Sequence, residues 1–236
     1  WGKEHISISN ETKYKIDINN ILNTPCRIKA FKVGPQVLIY HTHTTESYIR
    51  MTEDLGKSNN KERDVDNRYN VVKVGQELSR ILSTKYNIQS IHDKTIHTYP
   101  SDKGAYKRSC ETATNILKSN PSIRIILDIH RDGLGKGKKL RPVKFIDGKN
   151  VAKIMLVVGT DCAGLKHDNW RENLKFAATI QQKLNKKYEG LVKPIYITNY
   201  RYNQHLSNTA LIIEVGGDGN TIEEAVRSTY YLSDAI

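Results

Sequence analysis

The chain has 236 residues and 26.9 kDa, a length that reads as one large domain or two small ones against a typical domain of roughly 150 residues. Its 38% hydrophobic and 26% charged residues supply enough apolar surface for a core and exclude a disordered chain, and no apolar run approaches the roughly 20 residues of a membrane helix. The 37 Lys and Arg against 25 Asp and Glu leave +12 at pH 7, a field that attracts a polyanion: nucleic acid, anionic lipid or an anionic wall polymer. Nucleic acid is disfavoured, because zinc-finger spacing and an aromatic stacking signature are missing and the basic block is confined to Lys136 to Arg141. Cys26, Cys110 and Cys162 are odd in number and far apart, which argues against a disulfide framework and against a thiolate zinc site.

The first 35 residues mix polar and apolar positions weakly and end in Val33-Gly34-Pro35, as expected of a peripheral arm. Val37-Leu38-Ile39-Tyr40 is a continuous apolar run of the kind buried on both faces of a parallel sheet, and it stops at the polar cluster His41 to Ser47. Asn70 to Leu82 carries Val71, Val74, Leu78, Ile81 and Leu82 at helical spacing, and Ile88 to Ile91 then reads as a strand. The pattern repeats with a helix over Ala105 to Leu117, the punctuation Asn120-Pro121, and a strand from Ile123 to Ile129 that runs into His130-Arg131-Asp132. Val143 to Ile146, the turn Asp147-Gly148 and Val151 to Val158 predict an antiparallel hairpin added to the sheet. A helix from Asn169 to Leu184, a short strand at Ile195 to Ile197 and a buried strand from Leu211 to Val215 follow, the last carrying Glu214 before Gly216-Gly217-Asp218-Gly219. Asn220 with Glu223 predicts a capping box for a last helix, Thr221 to Ser233. The economical reading is one α/β domain over residues 36–236, a mostly parallel central sheet flanked by helices on both faces plus the hairpin, preceded by an N-terminal arm, residues 1–35.

Three of these strands, at 37–40, 123–129 and 211–215, end in or next to residues that bind metal or move protons. In open α/β sheets ligands occupy the crevice beyond the carboxyl ends of the strands, so His41 or His43, His130 and Glu214 are expected to converge there. Two imidazoles and one carboxylate suit zinc with a position left for water, and a separate carboxylate then shuttles the water's proton. Within His41-Thr42-His43-Thr44-Thr45-Glu46, His43-x-x-Glu46 is the better ligand pair, since residues three apart on a turn reach one ion. His41, on the same side of an extended chain as His43, fits a supporting or substrate role. Arg131 and Asp132 read as substrate-binding or as a pair with each other, Asp128 as an outer partner of an imidazole, and His205 as a cleft-lining residue; His5, His92, His97 and His167 read as solvated.

Ile39-Tyr40-His41-Thr42-His43-Thr44-Thr45-Glu46-Ser47-Tyr48, Leu127-Asp128-Ile129-His130-Arg131-Asp132, and Ile213-Glu214-Val215-Gly216 with Gly219-Asn220 resemble the stage II sporulation protein P family. Tyr202-Asn203-Gln204 and Val71-Val72-Lys73-Val74-Gly75 support the resemblance, which covers about residues 33–236. More loosely, the chain is similar to zinc N-acetylmuramoyl-L-alanine amidases. The resemblance implies a zinc-amidase-like fold and hydrolysis of the amide between N-acetylmuramic acid and the L-alanine of the stem peptide, with endopeptidase cleavage also attributed to the family. It implies His43 and His130 as Zn2+ ligands and Glu214 as the catalytic carboxylate; the third ligand falls to Glu46, with Asp66 as the alternative. His41, Arg131, Asn203 and His205 are the candidate substrate-binding residues. It further implies peptidoglycan as the anionic partner and joint work with a transglycosylase, stage II sporulation protein D. An extracytoplasmic place at the sporulation septum during engulfment and a membrane anchor outside this chain belong to the same implication. Two readings of other classes stay open: a zinc carboxypeptidase or endopeptidase of the stem peptide, whose ligand order is the same, and a non-enzymatic basic wall-binding domain.

Overall fold

The computed structural model describes residues 5–26, 28, 33–57, 61–133 and 139–236, so the basic run from Lys136 lies partly outside the described residues. In chain order the elements are β1 (Ile8–Asn10), α1 (Ile18–Asn23), β2 (Val37–Tyr40), α2 (Val71–Tyr86), β3 (Ser90–His92), α3 (Ala105–Ser119) and β4 (Ile125–Asp132). They continue with β5 (Val143–Ile146), β6 (Lys149–Ala152), β7 (Ile154–Gly159), α4 (Trp170–Lys187), β8 (Ile195–Thr198), β9 (Ala210–Gly217) and α5 (Ile222–Ser233). The main sheet has the order β1-β8-β7-β9-β4-β2-β3, and every pairing in it is parallel except β7 with β9. Among the described residues no helix is long and apolar enough to cross a membrane.

Successive side chains of a strand point to opposite faces, so the sheet divides its core in two. Val37, Ile39, Leu127, Ile129, Leu211 and Ile213 pack with α2 through Val71, Val74, Leu78 and Leu82, and this core runs on to Leu174 and Ala177 of α4 and Ala225 of α5. The alternate residues Leu38, Tyr40, Ile126 and Ala210 pack with Ala113 of α3. Fully burying a Val, Leu or Ile side chain is worth roughly 1.5–3 kcal/mol, so a slip by one residue is costly and the parity of each strand is firmly held. That parity decides which strand-end residues meet.

The hairpin does not join the sheet. β5 and β6 form their own two-stranded antiparallel ribbon, while β7 enters the main sheet alone beside β9. The apolar run from Val151 to Val158 is broken at Lys153, whose N–H donates to the Pro142 carbonyl (2.9 Å) as the next rung of the ribbon, and β7 begins at Ile154. The last helix is capped one residue later than the spacing predicts, by Thr221 with Glu224. Asn220 is committed elsewhere: its Oδ1 accepts from the Gly217 N–H (2.8 Å) and crowds Gly216, which has φ +67° and where a Cβ would lie 2.6 Å from that oxygen. Before residue 35, β1 is the sheet edge beside β8, and Ile6 and Ile21 are buried in the core.

Candidate active site

β4 and β9 run side by side with His130 in register with Glu214, and β2 and β4 pair with Tyr40 in register with Asp128. Asp128, His130 and Glu214 therefore share the α3 face of the sheet. Beyond Tyr40 the chain turns instead of staying extended. The Thr42 N–H and hydroxyl donate to the two oxygens of Asp128 (2.8 and 2.6 Å), and the Glu46 N–H donates to the His43 carbonyl (2.9 Å). This turn lays the His43 ring against that of His130, centroids 5.3 Å apart and nearly perpendicular. Glu46 is anchored at both ends: its carbonyl accepts from the Val71 N–H (2.9 Å), and its Oε2 accepts from the Arg131 N–H (3.1 Å) and lies 3.4 Å from His130 Nδ1. His43, Glu46, His130 and Glu214 are brought together from three strand ends.

The electrostatics follow from burial and charge in opposition. Burial disfavours a charged His130, but Asp128 and Glu46 on its two sides outweigh burial and hold the imidazole proton well above the ordinary range. The same pairing overcomes burial at Glu46 and Asp128 and keeps both carboxylates low. Burial, followed by the charge on His130, lowers His43. Burial pushes Glu214 up to about 8; His130 opposes this, and Glu46, Asp132 and Asp128 add to it.

The other sequence candidates lie elsewhere. His41 has the parity of Val37 and Ile39, so it points to the α2 face, where its Nδ1 bonds the Ile129 carbonyl (3.0 Å) and its Nε2 meets His92 Nε2 (2.9 Å). The turn at Thr42 is what separates it from His43. The Arg131 guanidinium is spent on the carbonyls of Ser47 and Glu62 (2.7 Å each) and of Asp132 (3.3 Å) and clamps the loops around Glu46; the Asp132 carboxylate pairs with Lys193 (2.9 Å). Asn203 donates to the Tyr106 carbonyl (3.0 Å) and the Ser109 hydroxyl (2.9 Å), bracing the start of α3 beneath the site. His205 is lowered to about 4 by burial and by Arg201 and His167, its neighbours outside the cluster. Asp66 faces Arg68 through paired contacts of 2.6 to 3.1 Å and is not brought to the imidazoles. His97 and His167 are buried and not solvated, His97 bonding the His41 carbonyl (2.8 Å) and Thr112 (3.0 Å) and His167 bonding Asn173 (2.9 Å), while His92 is half-buried against His41.

Three residues in the site, Arg63, Asp102 and Tyr106, carry no sequence signal that links them to it, and Tyr202 enters the sequence reading only as part of Tyr202-Asn203-Gln204. Asp102 Oδ1 lies 3.7 Å from His43 Nδ1, and Arg63 donates to Asp102 (3.1 Å) and comes within 3.8 Å of Glu46 Oε1. Tyr106 stands edge-on to His43, with centroids 5.5 Å apart, and Tyr202 packs on Tyr106 at 5.2 Å. Arg63, Asp102 and Tyr106 have no spacing that ties them to the site; only the fold does.

The donor set fits the zinc that the resemblance implies. His43 Nδ1, His130 Nε2 and Glu214 Oε2 are buried without a hydrogen-bond partner, although nearly all buried polar atoms in proteins have one. His130 Nε2 comes within 2.9 Å of Asp128 Oδ1 but lacks the alignment of a hydrogen bond. Among the described residues no three His, Cys, Asp or Glu groups converge on a single ion position as the side chains stand, Glu46 being engaged by His130 Nδ1 and the Arg131 N–H.

The catalytic domain of CwlV, an N-acetylmuramoyl-L-alanine amidase from Paenibacillus polymyxa var. colistinus, superposes with a TM-score of 0.49 at 12% identity, over 85% of this chain and 95% of that one. An N-acetylmuramoyl-L-alanine amidase from Clostridium difficile 630 gives 0.49 at 16% identity, over 86% and 95%. Stage II sporulation protein P of Bacillus subtilis (strain 168) is 31% identical over 214 residues, which are 85% of this chain and 50% of that protein, so the chain spans about half the length of this relative. The family model for stage II sporulation protein P matches residues 2–236, nearly the whole sequence. The chain belongs to the stage II sporulation protein P family.

Proposed function

We propose that the chain is a zinc-dependent N-acetylmuramoyl-L-alanine amidase that degrades septal peptidoglycan during sporulation. The observation that carries the reading is the meeting of His43, Glu46 and His130 beside Glu214 with imidazole and carboxylate atoms left unbonded. His43, Glu46 and His130 would hold the metal. When bound there, zinc supplies Lewis acidity toward the amide carbonyl and the attacking water. The proton work falls to Glu214, whose carboxyl is held at about 8 by burial and so takes and returns a proton readily near neutral pH. It accepts the proton as water oxygen bonds the carbonyl carbon, then gives it to the alanine nitrogen as the C–N bond breaks. Asp128, fixed by both Thr42 bonds, keeps the His130 ring in place, and Arg131 keeps the Glu46 turn closed.

The +12 charge favours an anionic wall. The membership in a sporulation family and the Bacillus subtilis relative support septal work. An anchor outside this chain, partnership with the transglycosylase stage II sporulation protein D, and an added endopeptidase activity are part of the same proposal and rest on the resemblance. The test is to incubate the zinc-supplemented chain with a defined disaccharide-peptide and weigh the products. Intact free stem peptide is expected. Peptide fragments with alanine still on the sugar would replace the amidase by a stem-peptide peptidase, and substrate bound without turnover would point to a wall-binding domain.

A further inference from the structure

Behind Asp128 a chain of buried hydrogen bonds runs from Asn203, in the loop between β8 and β9, through Ser109 of α3 and Thr42 of the strand-end turn. None of the four side chains is more than 6% exposed. The direction of every bond follows by elimination. An ionised carboxylate only accepts, so the single Thr42 hydroxyl proton goes to Asp128 (2.6 Å). Thr42 is then the acceptor in its 2.8 Å contact with Ser109, whose own proton favours it over the Tyr106 carbonyl at 3.3 Å. Ser109 is left to accept from the Asn203 amide (2.9 Å). The chain points one way, Asn203 to Ser109 to Thr42 to Asp128, and ends 2.9 Å from His130 Nε2. In such a series each donation polarises the next, and a missing member leaves buried groups unpaired.

Asn203 has a second hold on the same centre. Its amide also donates to the Tyr106 carbonyl (3.0 Å), and the Tyr106 ring stands edge-on to His43. The buried Tyr40 phenol has both Asn203 and Asp128 as hydrogen-bonding neighbours. One amide thus reaches both imidazoles of the candidate metal centre through other side chains. We propose that Ser109 and Asn203 are positioning residues of that centre: they fix the Asp128 carboxylate through Thr42, and Asp128 in turn fixes the His130 ring for its ligand. The assignment deepens the metal reading and rests on it for the identity of the ligand alone.

The test compares Ser109→Ala, Asn203→Leu and their double variant with Ser228→Ala, which removes an equally buried hydroxyl from α5, bonded to the Ala152 carbonyl (2.6 Å). Proton–nitrogen correlation spectra of the histidine rings, taken on the metal-free whole chain at one fixed pH, should show the His130 resonances displaced in the first three variants and unmoved in Ser228→Ala. Zinc affinity, measured by competition with a chelator, should fall about 10-fold in Ser109→Ala and further in Asn203→Leu, which also releases Tyr106 and Tyr40. The double variant should match Asn203→Leu, because the two changes cut one chain. Urea midpoints separate positioning from folding: Ser228→Ala should lose stability much as Ser109→Ala does and keep its zinc affinity. His130 resonances unmoved by Ser109→Ala and Asn203→Leu, additive losses in the double variant, or an equal loss of zinc affinity in Ser228→Ala would each overturn the assignment. Displaced His130 resonances in a chain that takes up no zinc would uphold the positioning and overturn the metal reading.

Discussion

Two imidazole pairs flank the end of β2, alike in spacing and opposite in chemistry. His41 and His92 have ring centroids 5.2 Å apart, and His43 and His130 have theirs at 5.3 Å. In the first pair His41 donates from Nδ1 to the Ile129 carbonyl and accepts at Nε2 from the His92 ring, so both rings stay neutral with their inner nitrogens bonded. Burial lowers His41 to about 4 and His92 to about 3. In the second pair one ring is gripped between Asp128 and Glu46, and each ring keeps an unbonded nitrogen. Histidine spacing does not distinguish the two pairs; the carboxylates beside His130 do.

The comparison breaks or sharpens through four variants. The largest effect is expected for Glu214→Gln, which removes the proton carrier and should lower turnover roughly 10²- to 10⁴-fold while metal analysis shows zinc retained; ordinary activity would remove Glu214 from the mechanism. Arg131→Ala unfastens the Ser47 and Glu62 carbonyls from the Glu46 turn and should cost about 2–3 kcal/mol in urea unfolding, with zinc affinity falling as well. Gly75→Ala would place a Cβ 2.7 Å from His92 Nε2 and 2.8 Å from His41. It should destabilise by about 1–3 kcal/mol and leave turnover per folded molecule unchanged, whereas a specific loss of activity would mean that the first pair is not merely structural.

The smallest effect is in acid. The His41 and His92 values in the folded chain lie below the ordinary 6.5, so the unfolded chain binds protons first as pH falls. Their contribution is fully present above about 6.5 and is lost as pH falls through about 4 and about 3. His92→Gln should flatten that part of the stability profile in denaturant titrations from pH 7 to pH 4.

How much was legible follows the same line of faces. The apolar runs at Val37, Ile123 and Leu211 mark three central strands, because a strand covered on both sides needs no alternation, and their polar ends meet at one end of the sheet. The assignment of His41 failed because the side it takes depends on where the strand ends, and the turn after it is set by Thr42 binding Asp128, 86 positions away in sequence. His97 and His167 depart from the solvated reading for a related reason: each has polar neighbours in sequence but is sealed by elements from elsewhere, while His92 is half-buried against His41. The separation of the β5 and β6 ribbon from the sheet is hidden in sequence because only a single lysine, Lys153, interrupts an otherwise continuous apolar run.

The most direct measurement is an anomalous-difference map at the zinc edge from crystals grown with the metal. One peak among His43, Glu46 and His130 is the expected result, disappearing in His43→Ala. A peak at His41 and His92, or none at either pair, would contradict the account.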